Sequence, residues 1–467
     1  MRGFVVFALS LWGWAGAAHA QTLSPDELLS SSARHAPAIL QALADVRAAE
    51  GDALATRGAF DLVFGTSQVS YVNGFYDGQY VDTSVSQNLG PFGARVYGGY
   101  RVSRGDFPIY EDFNFTNRGG AARIGVLFSL LKDRAIDDRR FAVRDARLAA
   151  DIASLEQALT SIGVQRQALG AYWRWVAAGR ELSVYEDLLR LAEVRQTNLE
   201  RQVRAGARAA IFLTENRQNL LRRRALVADA RRAFEAAAIE LSFYYRDENG
   251  LPQMPTRAAL PLENGALGLA DPISDVSPEG ALLQRPELAS LRVALDQARN
   301  RLALAENELA PKLDLKADLE NDFGAIGEGG VSRDATDIKV GVEFSVPLQR
   351  RAGRGARARA EAEIDALRAR ERATRDRIEN EIRTILMTLD ATREIAGIAG
   401  EEVDQADTMA RAERRRFESG ASDFFLVNLR EEAAADSRIR LYQAVLRARL
   451  SDADFRAASV DTEALGL

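Results

Sequence analysis

The sequence predicts a mainly α-helical protein with two β-rich blocks, built as two copies of one structural unit. Segments rich in Ala, Leu, Arg and Glu and almost free of Pro predict long helices at 22–57, 134–245, 279–309 and 352–456. Two blocks between them, 60–130 and 312–347, have a β-type composition, and the first holds 14 of the chain's 35 aromatic residues. Because the order helix, β-block, long helix, helix occurs twice, we expect an internal repeat.

The first twenty residues have the pattern of a secretory signal. Arg2 precedes an apolar run from Phe4 to Leu11, and the segment ends in Ala18-His19-Ala20, an A-x-A cleavage motif. We therefore expect residues 1–20 to be a signal peptide and the mature chain to begin at Gln21. An N-terminal membrane anchor is the alternative, but the run is shorter than the ~18–20 apolar residues that a span needs.

The composition argues against most enzymes and cofactor sites. The chain has no Cys and two His, and only His35 would remain after signal cleavage. Thiol nucleophiles, two-His metal sites and a lipid anchor on Cys are therefore excluded within one chain. We expect no cofactor, no metal and no catalysis. The net charge of −6 argues against a nucleic-acid partner, and the basic stretch Arg350–Arg359 lacks the aromatic residues of such a site.

The second β-block alternates strictly between apolar and charged residues. Two strands of about nine or ten residues, starting at Lys312 and Asp337, match the length of a tilted strand crossing a bilayer. A soluble, half-buried hairpin would give the same pattern. One face would carry Leu313, Leu315, Leu319, Ile338, Val340, Val342 and Phe344, and the other Lys312, Asp314, Lys316, Asp318, Lys339 and Glu343. The first block is longer, and its extra residues predict either an extended loop or two more strands.

Heptad stripes run along the long helices. Apolar and small residues with strict four-three spacing indicate a coiled-coil seam, and an ordinary coiled coil would show the same stripe. From Arg134 to Val203 and from Ala352 to Phe417, continuous helices would be on the order of 100 Å long. That length suits a device spanning a periplasm-sized gap better than a globular domain. The clearest stripe is Ile378, Ile382, Ile385, Leu389, Thr392, Ala396, Ala399, Val403, Ala406 and Ala410.

Short motifs recur in matching order in the two halves. Gly125-Val126-Leu127-Phe128-Ser129 pairs with Gly341-Val342-Glu343-Phe344-Ser345, and the segment around Gly206 pairs with the segment around Gly420. His35-Ala36-Pro37 likewise pairs with Gln284-Arg285-Pro286. A Pro-rich segment separates the halves. The predicted boundaries are 21–245 for the first repeat, 246–278 for the linker, 279–456 for the second repeat and 457–467 for a C-terminal tail.

These motifs resemble the TolC-like outer-membrane efflux proteins over essentially the whole mature chain. The resemblance rests on RPEL at 285–288, GVEFSVPLQRRAGRGARARA at 341–360 and RRFESGASDFFLVNLREE at 415–432. It implies a homotrimer in the outer membrane of a Gram-negative bacterium. Each chain would give four strands to a twelve-stranded transmembrane β-barrel and long antiparallel helices to a periplasmic α-barrel. The apolar strand faces would meet outer-membrane lipid, and the charged faces would line the lumen.

The resemblance also implies a functional tip where the long helices reverse. Adaptor docking there would involve Ala205, Gly206, Ala207, Ser419, Gly420 and Ala421, although a plain helix stop also explains both glycines. Many family members narrow the channel with acidic residues after this glycine, whereas the sixth position here holds Phe212 or Leu426. Candidates for a constriction are therefore Phe212, Glu215, Asp423, Leu426 and Glu431, with helix-surface charge as the alternative for the three acids.

The function implied by the resemblance is that of an exit duct. Such a channel conducts substrate passively from periplasm to exterior when docked to a periplasmic adaptor and an inner-membrane pump, in efflux or in type I secretion. A soluble periplasmic coiled-coil adaptor or scaffold is the alternative, and a secreted enzyme is disfavoured because no catalytic set is visible. Extraction distinguishes them, since the channel needs detergent and the soluble proteins do not.

Overall fold

The computed structural model describes residues 22–261, 278–327 and 335–467. The predicted signal peptide and part of the predicted linker lie outside the described residues. The described residues form two units, which we treat separately. Unit 1 comprises the described parts of Met1–Leu40, Thr160–Ala281 and Glu379–Leu467, and unit 2 those of Gln41–Leu159 and Leu282–Ile378.

The helices follow the predicted duplication. In the first half a helix pair precedes the strands and a very long helix follows them, and the second half repeats this order. None of the described helices is both long and apolar enough to cross a membrane. The helices are α1 Pro25–His35, α2 Pro37–Arg57, α3 Asp138–Arg204, α4 Ile211–Ser242, α5 Pro278–Gln284, α6 Pro286–Leu309, α7 Arg351–Glu418 and α8 Phe424–Ser459.

Local sequence explains where the short helices begin and end. Ser24 caps α1, its hydroxyl accepting a hydrogen bond from the Glu27 amide at 3.1 Å. Ala36 leaves the helix with ψ of 124° because the residue before a proline is disfavoured in the α region. Arg285 does the same before Pro286, with ψ of 118°. The two halves therefore share this break and the proline that follows it.

Six antiparallel strands form one sheet in the order β1-β2-β3-β4-β5-β6. The first β-block contributes four of them and the second block two, so the extra residues of the first block form a hairpin within the sheet. The four strands per chain that the resemblance implies are therefore too few. The strands are β1 Val63–Ser70, β2 Gln79–Asn88, β3 Arg95–Arg104, β4 Ala121–Ser129, β5 Lys312–Asp322 and β6 Asp337–Ser345.

The core of unit 1 lies where α1 and α4 pack against α3. Trp175 is fully buried, and its ring stacks with Phe234 at a centroid distance of 6.2 Å. Tyr172 is also buried, and its hydroxyl donates to the Leu23 carbonyl at 2.9 Å. Residues 246–261, assigned to the predicted linker, pack here too: the Leu23 amide donates to the Ala259 carbonyl at 2.9 Å. This stretch is therefore part of the folded unit.

In unit 2, α6 packs against the first part of α7 and the sheet continues from them. Leu295 and Ala298 on α6 form a buried cluster with Ile364 on α7. The heptad residue Ile378, the last residue of unit 2, is fully buried. In unit 1, Ile382 and Leu389 continue the stripe and are each 2% exposed. The predicted stripe is thus the buried side of α7.

Candidate functional site

The long helices of unit 1 end in two turns of the same type. Gly206 and Gly420 follow α3 and α7 with φ of 71° and 78°, in the left-handed region that glycine adopts without a Cβ penalty. At the first turn the Gly206 amide donates to the Val203 carbonyl, and the Ala207 amide to the Gln202 carbonyl. At the second turn the pattern recurs at Gly420 and Ala421. Both turns are therefore Schellman motifs.

The residues predicted to dock an adaptor lie at these two turns and are exposed. They are small, so their backbone is open to close approach by another helix. In unit 1, these exposed residues are Ala205, Gly206, Ala207, Ser419, Gly420 and Ala421. Their role in docking stays a prediction.

Aromatic side chains join the two turns. The Phe424 ring is 1% exposed and lies 6.2 Å from the Phe212 ring and 6.4 Å from the Phe417 ring, centroid to centroid. The Arg208 guanidinium lies over both Phe212, at 5.5 Å, and Phe417, at 5.1 Å. Phe212, predicted to narrow the channel, is thus half-buried between the two turns of one chain. We call Phe212, Phe417 and Phe424 the tip aromatic cluster.

Behind this cluster lies a buried group of charges centred on Glu431 of α8. Its Oε1 is 2.6 Å from Nη2 of Arg195 on α3 and 3.2 Å from Nη2 of Arg414 on α7. Its Oε2 is 3.6 Å from Nη1 of Arg223 on α4. Asn428 accepts from Arg195 at 2.5 Å. One carboxylate therefore connects all four helices of unit 1 near the tip, and we call these residues the Glu431 cluster.

Burial sets the electrostatics of this cluster. Arg223 is 1% exposed, and its desolvation, together with repulsion from Arg195, lowers the pKa of its guanidinium, while Glu431 opposes that shift. Nη1 of Arg223 also donates to the Leu188 carbonyl at 2.8 Å. Three guanidinium groups share one carboxylate, so the cluster depends on the charge of Glu431.

Glu431 is therefore not a channel-narrowing acid in this structure. Its side chain is 1% exposed, and its carboxylate pairs with arginines of the same chain. Neither a position on the lumen wall nor a simple surface charge therefore fits this residue. Asp423 is exposed and caps α8, its carboxylate accepting from the Leu426 amide at 2.7 Å. Glu215 and Leu426 are half-buried. Among the five predicted constriction residues, Asp423 alone is both acidic and exposed.

The Glu431 cluster was not among the predicted sites, although the heptad pattern contains a signal for it. Arg195 follows Leu188 and Ala192 and precedes Leu199 at four-three-four spacing, so an arginine occupies a core position of the heptad. Asn216 and Arg223 do the same on α4. Polar residues at such positions commonly specify which helices pair.

The sheet of unit 2 has one apolar and one charged face. Cross-strand partners share a face, and Leu313 pairs with Phe344, Leu315 with Val342, and Leu319 with Ile338. The residues predicted to face lipid thus lie together, and β4 adds Ile124, Val126 and Phe128 to them. Ile338, Val340, Val342 and Phe344 on β6 are 63–73% exposed in the single chain.

The residues predicted to line a lumen lie on the opposite face and form ion pairs there. Nζ of Lys312 is 2.9 Å from Oε1 of Glu343 and 3.3 Å from Oδ2 of Asp314. Lys316 pairs with Asp318 at 3.1 Å. Nζ of Lys339 lies 3.2 Å from Oε2 of Glu320. Charges of both signs therefore alternate across this face.

No group of His, Asp and Glu in the described residues is placed to hold a metal ion. The chemistry of both sites is that of surfaces and helix ends.

Residues 278–459 match the family described as outer membrane efflux protein. No curated protein matches the chain in sequence. This family match supports the prediction that the protein is not an enzyme.

Solved structures share the fold over nearly the whole chain. The outer membrane protein VceC from Vibrio cholerae is 17% identical, with 93% of this chain and 95% of that chain covered and a TM-score of 0.63. The Campylobacter jejuni CmeC outer membrane channel is 14% identical, with coverages of 93% and 85% and a TM-score of 0.63. The Neisseria gonorrhoeae MtrE outer membrane channel is 13% identical, with coverages of 93% and 88% and a TM-score of 0.65. The chain thus has the fold of these outer membrane channels over nearly its whole length, and residues 278–459 are similar in sequence to the outer membrane efflux protein family.

Proposed function

We propose that this chain is one protomer of a homotrimeric outer-membrane channel that serves as the exit duct of a tripartite efflux or type I secretion system. Substrate would pass passively from periplasm to exterior while an adaptor and an inner-membrane pump are docked. The conclusion rests on the two-faced sheet, interpreted with the family match.

A single chain leaves this sheet incomplete in two respects. The apolar side chains of β6 are largely exposed, which in water costs free energy and in lipid does not. The strands β1 and β6 are at the sheet edges, so one side of each has backbone groups with no strand partner among the described residues. In a bilayer such edges must be paired. Neighbouring copies in the outer membrane would supply both the partner strands and the lipid.

The charged face would line the duct. Its lysines pair with carboxylates on the same or the next strand, so positive and negative charge nearly cancel along the wall. Such a lining favours a water-filled duct over a strongly ion-selective one. The exposed small residues at the Gly206 and Gly420 turns would receive the helical hairpins of an adaptor, and the pump would supply the energy.

Two matched variants test which face meets lipid. Val340→Lys puts a charge on the apolar face of β6, at an expected cost of about 2–4 kcal/mol near the membrane centre. Gly341→Lys puts the same charge on the other face, where no atom lies within 4 Å of the added Cβ. We expect Val340→Lys to reduce the detergent-extracted protein in outer membranes and Gly341→Lys to leave it unchanged.

Conductance in planar bilayers then tests the duct itself. The purified native protein and Gly341→Lys should open water-filled pores. Equal loss of membrane protein for the two variants, or release of the native protein without detergent, would contradict the channel and favour a soluble periplasmic scaffold.

A further inference from the structure

The first β-block holds one hairpin more than the second, and the repeat identifies which hairpin is extra. β1 follows α2 as β5 follows α6, and β4 precedes α3 as β6 precedes α7. The matching sequences at Gly125–Ser129 and Gly341–Ser345 fall on β4 and β6. The strands without a counterpart are therefore β2 and β3.

This extra hairpin lies inside the sheet. All eight residues of β1 pair with β2, from Val63 with Ser86 to Ser70 with Gln79. β3 pairs with β4 from Arg95 to Arg101, and β4 pairs with β5 along its whole length. Two strands thus separate β1 from β4, the two strands that the plan of the second block would place side by side.

The hairpin also runs the full height of the sheet. Its turn closes with a hydrogen bond from the Leu89 amide to the Ala94 carbonyl at 2.7 Å. Nδ2 of Asn88 donates to the Ala59 carbonyl at 2.8 Å, in the segment that joins α2 to β1. The turn therefore lies at the end of the sheet where the helices attach, and the strands β2 and β3 extend from there beside β1 and β4.

An ion triad centred on a buried carboxylate connects the hairpin to the rest of the sheet. Asp82 on β2 is 8% exposed, and its carboxylate lies 2.7 Å from Nη2 of Arg101 on β3 and 3.0 Å from Nη2 of Arg123 on β4. The hydroxyls of Thr66 on β1 and Thr83 on β2 lie 3.3 Å apart. Side-chain contacts thus link β2 to β1, to β3 and to β4.

We propose that three copies of this chain close an eighteen-stranded barrel, in which β6 of each copy pairs with β1 of the next. This proposal rests on the trimeric channel proposed above. Each copy brings six strands that alternate in direction, so β6 of one copy and β1 of its neighbour run antiparallel, like every other pair in the sheet. The two edge strands, of nine and eight residues, are matched in length.

A barrel of eighteen strands would be wider than one of twelve. Barrel diameter grows roughly in proportion to strand number, so eighteen strands give about one and a half times the diameter of twelve. Barrels of 16–18 strands leave an aqueous channel. The extra hairpin would thus widen the outer-membrane section while leaving the helices after it unchanged.

Engineered disulfides test the shared seam, because the natural chain has no Cys. Thr66 on β1 and Ile338, Val340 and Val342 on β6 all lie on the apolar face. Thr66→Cys is combined in turn with Ile338→Cys, Val340→Cys and Val342→Cys in the full chain. Within one copy, five strand spacings of ~4.8 Å separate the edges, beyond the ~7 Å Cα limit of a disulfide. Any disulfide between β1 and β6 must therefore join two copies of the chain.

We expect at least one of these pairs to give disulfide-linked dimers and trimers on non-reducing gels of detergent-extracted protein. The matched control, Thr66→Cys with Gly341→Cys, places the second thiol on the opposite face and should give no linked product.

Two results would overturn the eighteen-stranded barrel. One is the absence of linked product for all three pairs in a protein that forms pores. The other is an intrachain bond in Thr66→Cys with Ile124→Cys, which would bring β1 beside β4 as in twelve strands. In both cases the pores would still support the channel. A protein without pores that needs no detergent would instead contradict the channel, and the shared barrel with it.

Discussion

Arg195 and Glu431 form the closest ion pair of the Glu431 cluster, with Nη2 of one 2.6 Å from Oε1 of the other. Their side chains are 9% and 1% exposed. A buried charge is tolerated when its partner stays in place, so the packing of α3 against α8 depends on the contact between this carboxylate and this guanidinium.

We expect Glu431→Gln to destabilise the tip by about 3–5 kcal/mol, because three arginines then lose their carboxylate. The loss should appear as faster amide hydrogen exchange in α3 and α8 around Arg195 and Glu431. The matched control is Glu432→Gln. Its carboxylate lies 3.6 Å from the exposed Arg222, so the change should be below about 1 kcal/mol. Equal exchange in the two variants would show that the cluster contributes no stability.

The two turn glycines should tolerate Asn better than Ala. No atom lies within 4 Å of a Cβ built at Gly206 or Gly420, so the cost of Ala is the left-handed backbone alone, about 1–2 kcal/mol. Asn adopts that conformation more readily. In Gly400→Ala, within α7 and equally uncrowded, we expect a gain of about 0.5–1 kcal/mol instead. Amide hydrogen exchange in the last turns of α3 and α7 measures this difference, with faster exchange expected for the Ala variants than for the Asn variants. Equal exchange rates for Ala and Asn would contradict the prediction.

Removing bulk at the tip should raise single-channel conductance. In Phe212→Ala with Leu426→Ala the tip aromatic cluster loses the ring that contacts Phe424 at 6.2 Å, which loosens the turn of α4 against that of α8. The control Phe243→Ala removes a 65% exposed ring elsewhere in unit 1 and should leave conductance unchanged. Unchanged conductance in the double variant would place the narrowest point of the channel away from the tip.

Tyr172 should make unit 1 less stable at alkaline pH. Burial raises the pKa of its phenol to about 12, whereas Arg449 acts in the opposite direction. Because the folded pKa is higher than the ordinary value of about 10, the stabilisation is complete below pH ~10 and is lost as pH rises towards 12. Unfolding measured across that range should be less pH-dependent in Tyr172→Phe than in the native protein. Tyr110 is exposed, so Tyr110→Phe is the control. If stability in Tyr172→Phe depended on pH as it does in the native protein, the role of the Tyr172 phenol would be contradicted.

Alternation and heptad spacing are strong signals where one face is uniformly apolar. The strand from Asp337 to Ser345 and the stripe through Ile378 and Leu389 were therefore predictable from the sequence. The sequence left open whether β2 and β3 form a hairpin in the sheet, because the apolar face of β2 is interrupted by Thr83 between Val81 and Val85 and is therefore not uniformly apolar. Its place in the sheet depends on the pairing of Asp82 with Arg101 and Arg123, which lie distant in sequence.

The Glu431 cluster was unpredictable for a related reason. A helix pattern gives the face on which a residue lies but not the residue that it meets on another helix. Arg195 and Glu431 are separated by 236 positions, and only packing of α3 against α8 brings them together. Once heptad position is considered, an arginine or glutamate in a core position predicts a buried partner on a neighbouring helix, though not its identity.

The mass of the mature protein extracted from outer membranes in mild detergent, with the bound detergent subtracted, tests the trimeric channel most directly. For the trimeric channel we expect a mass of three chains, recovered only with detergent. A monomer released with the soluble periplasm would contradict it.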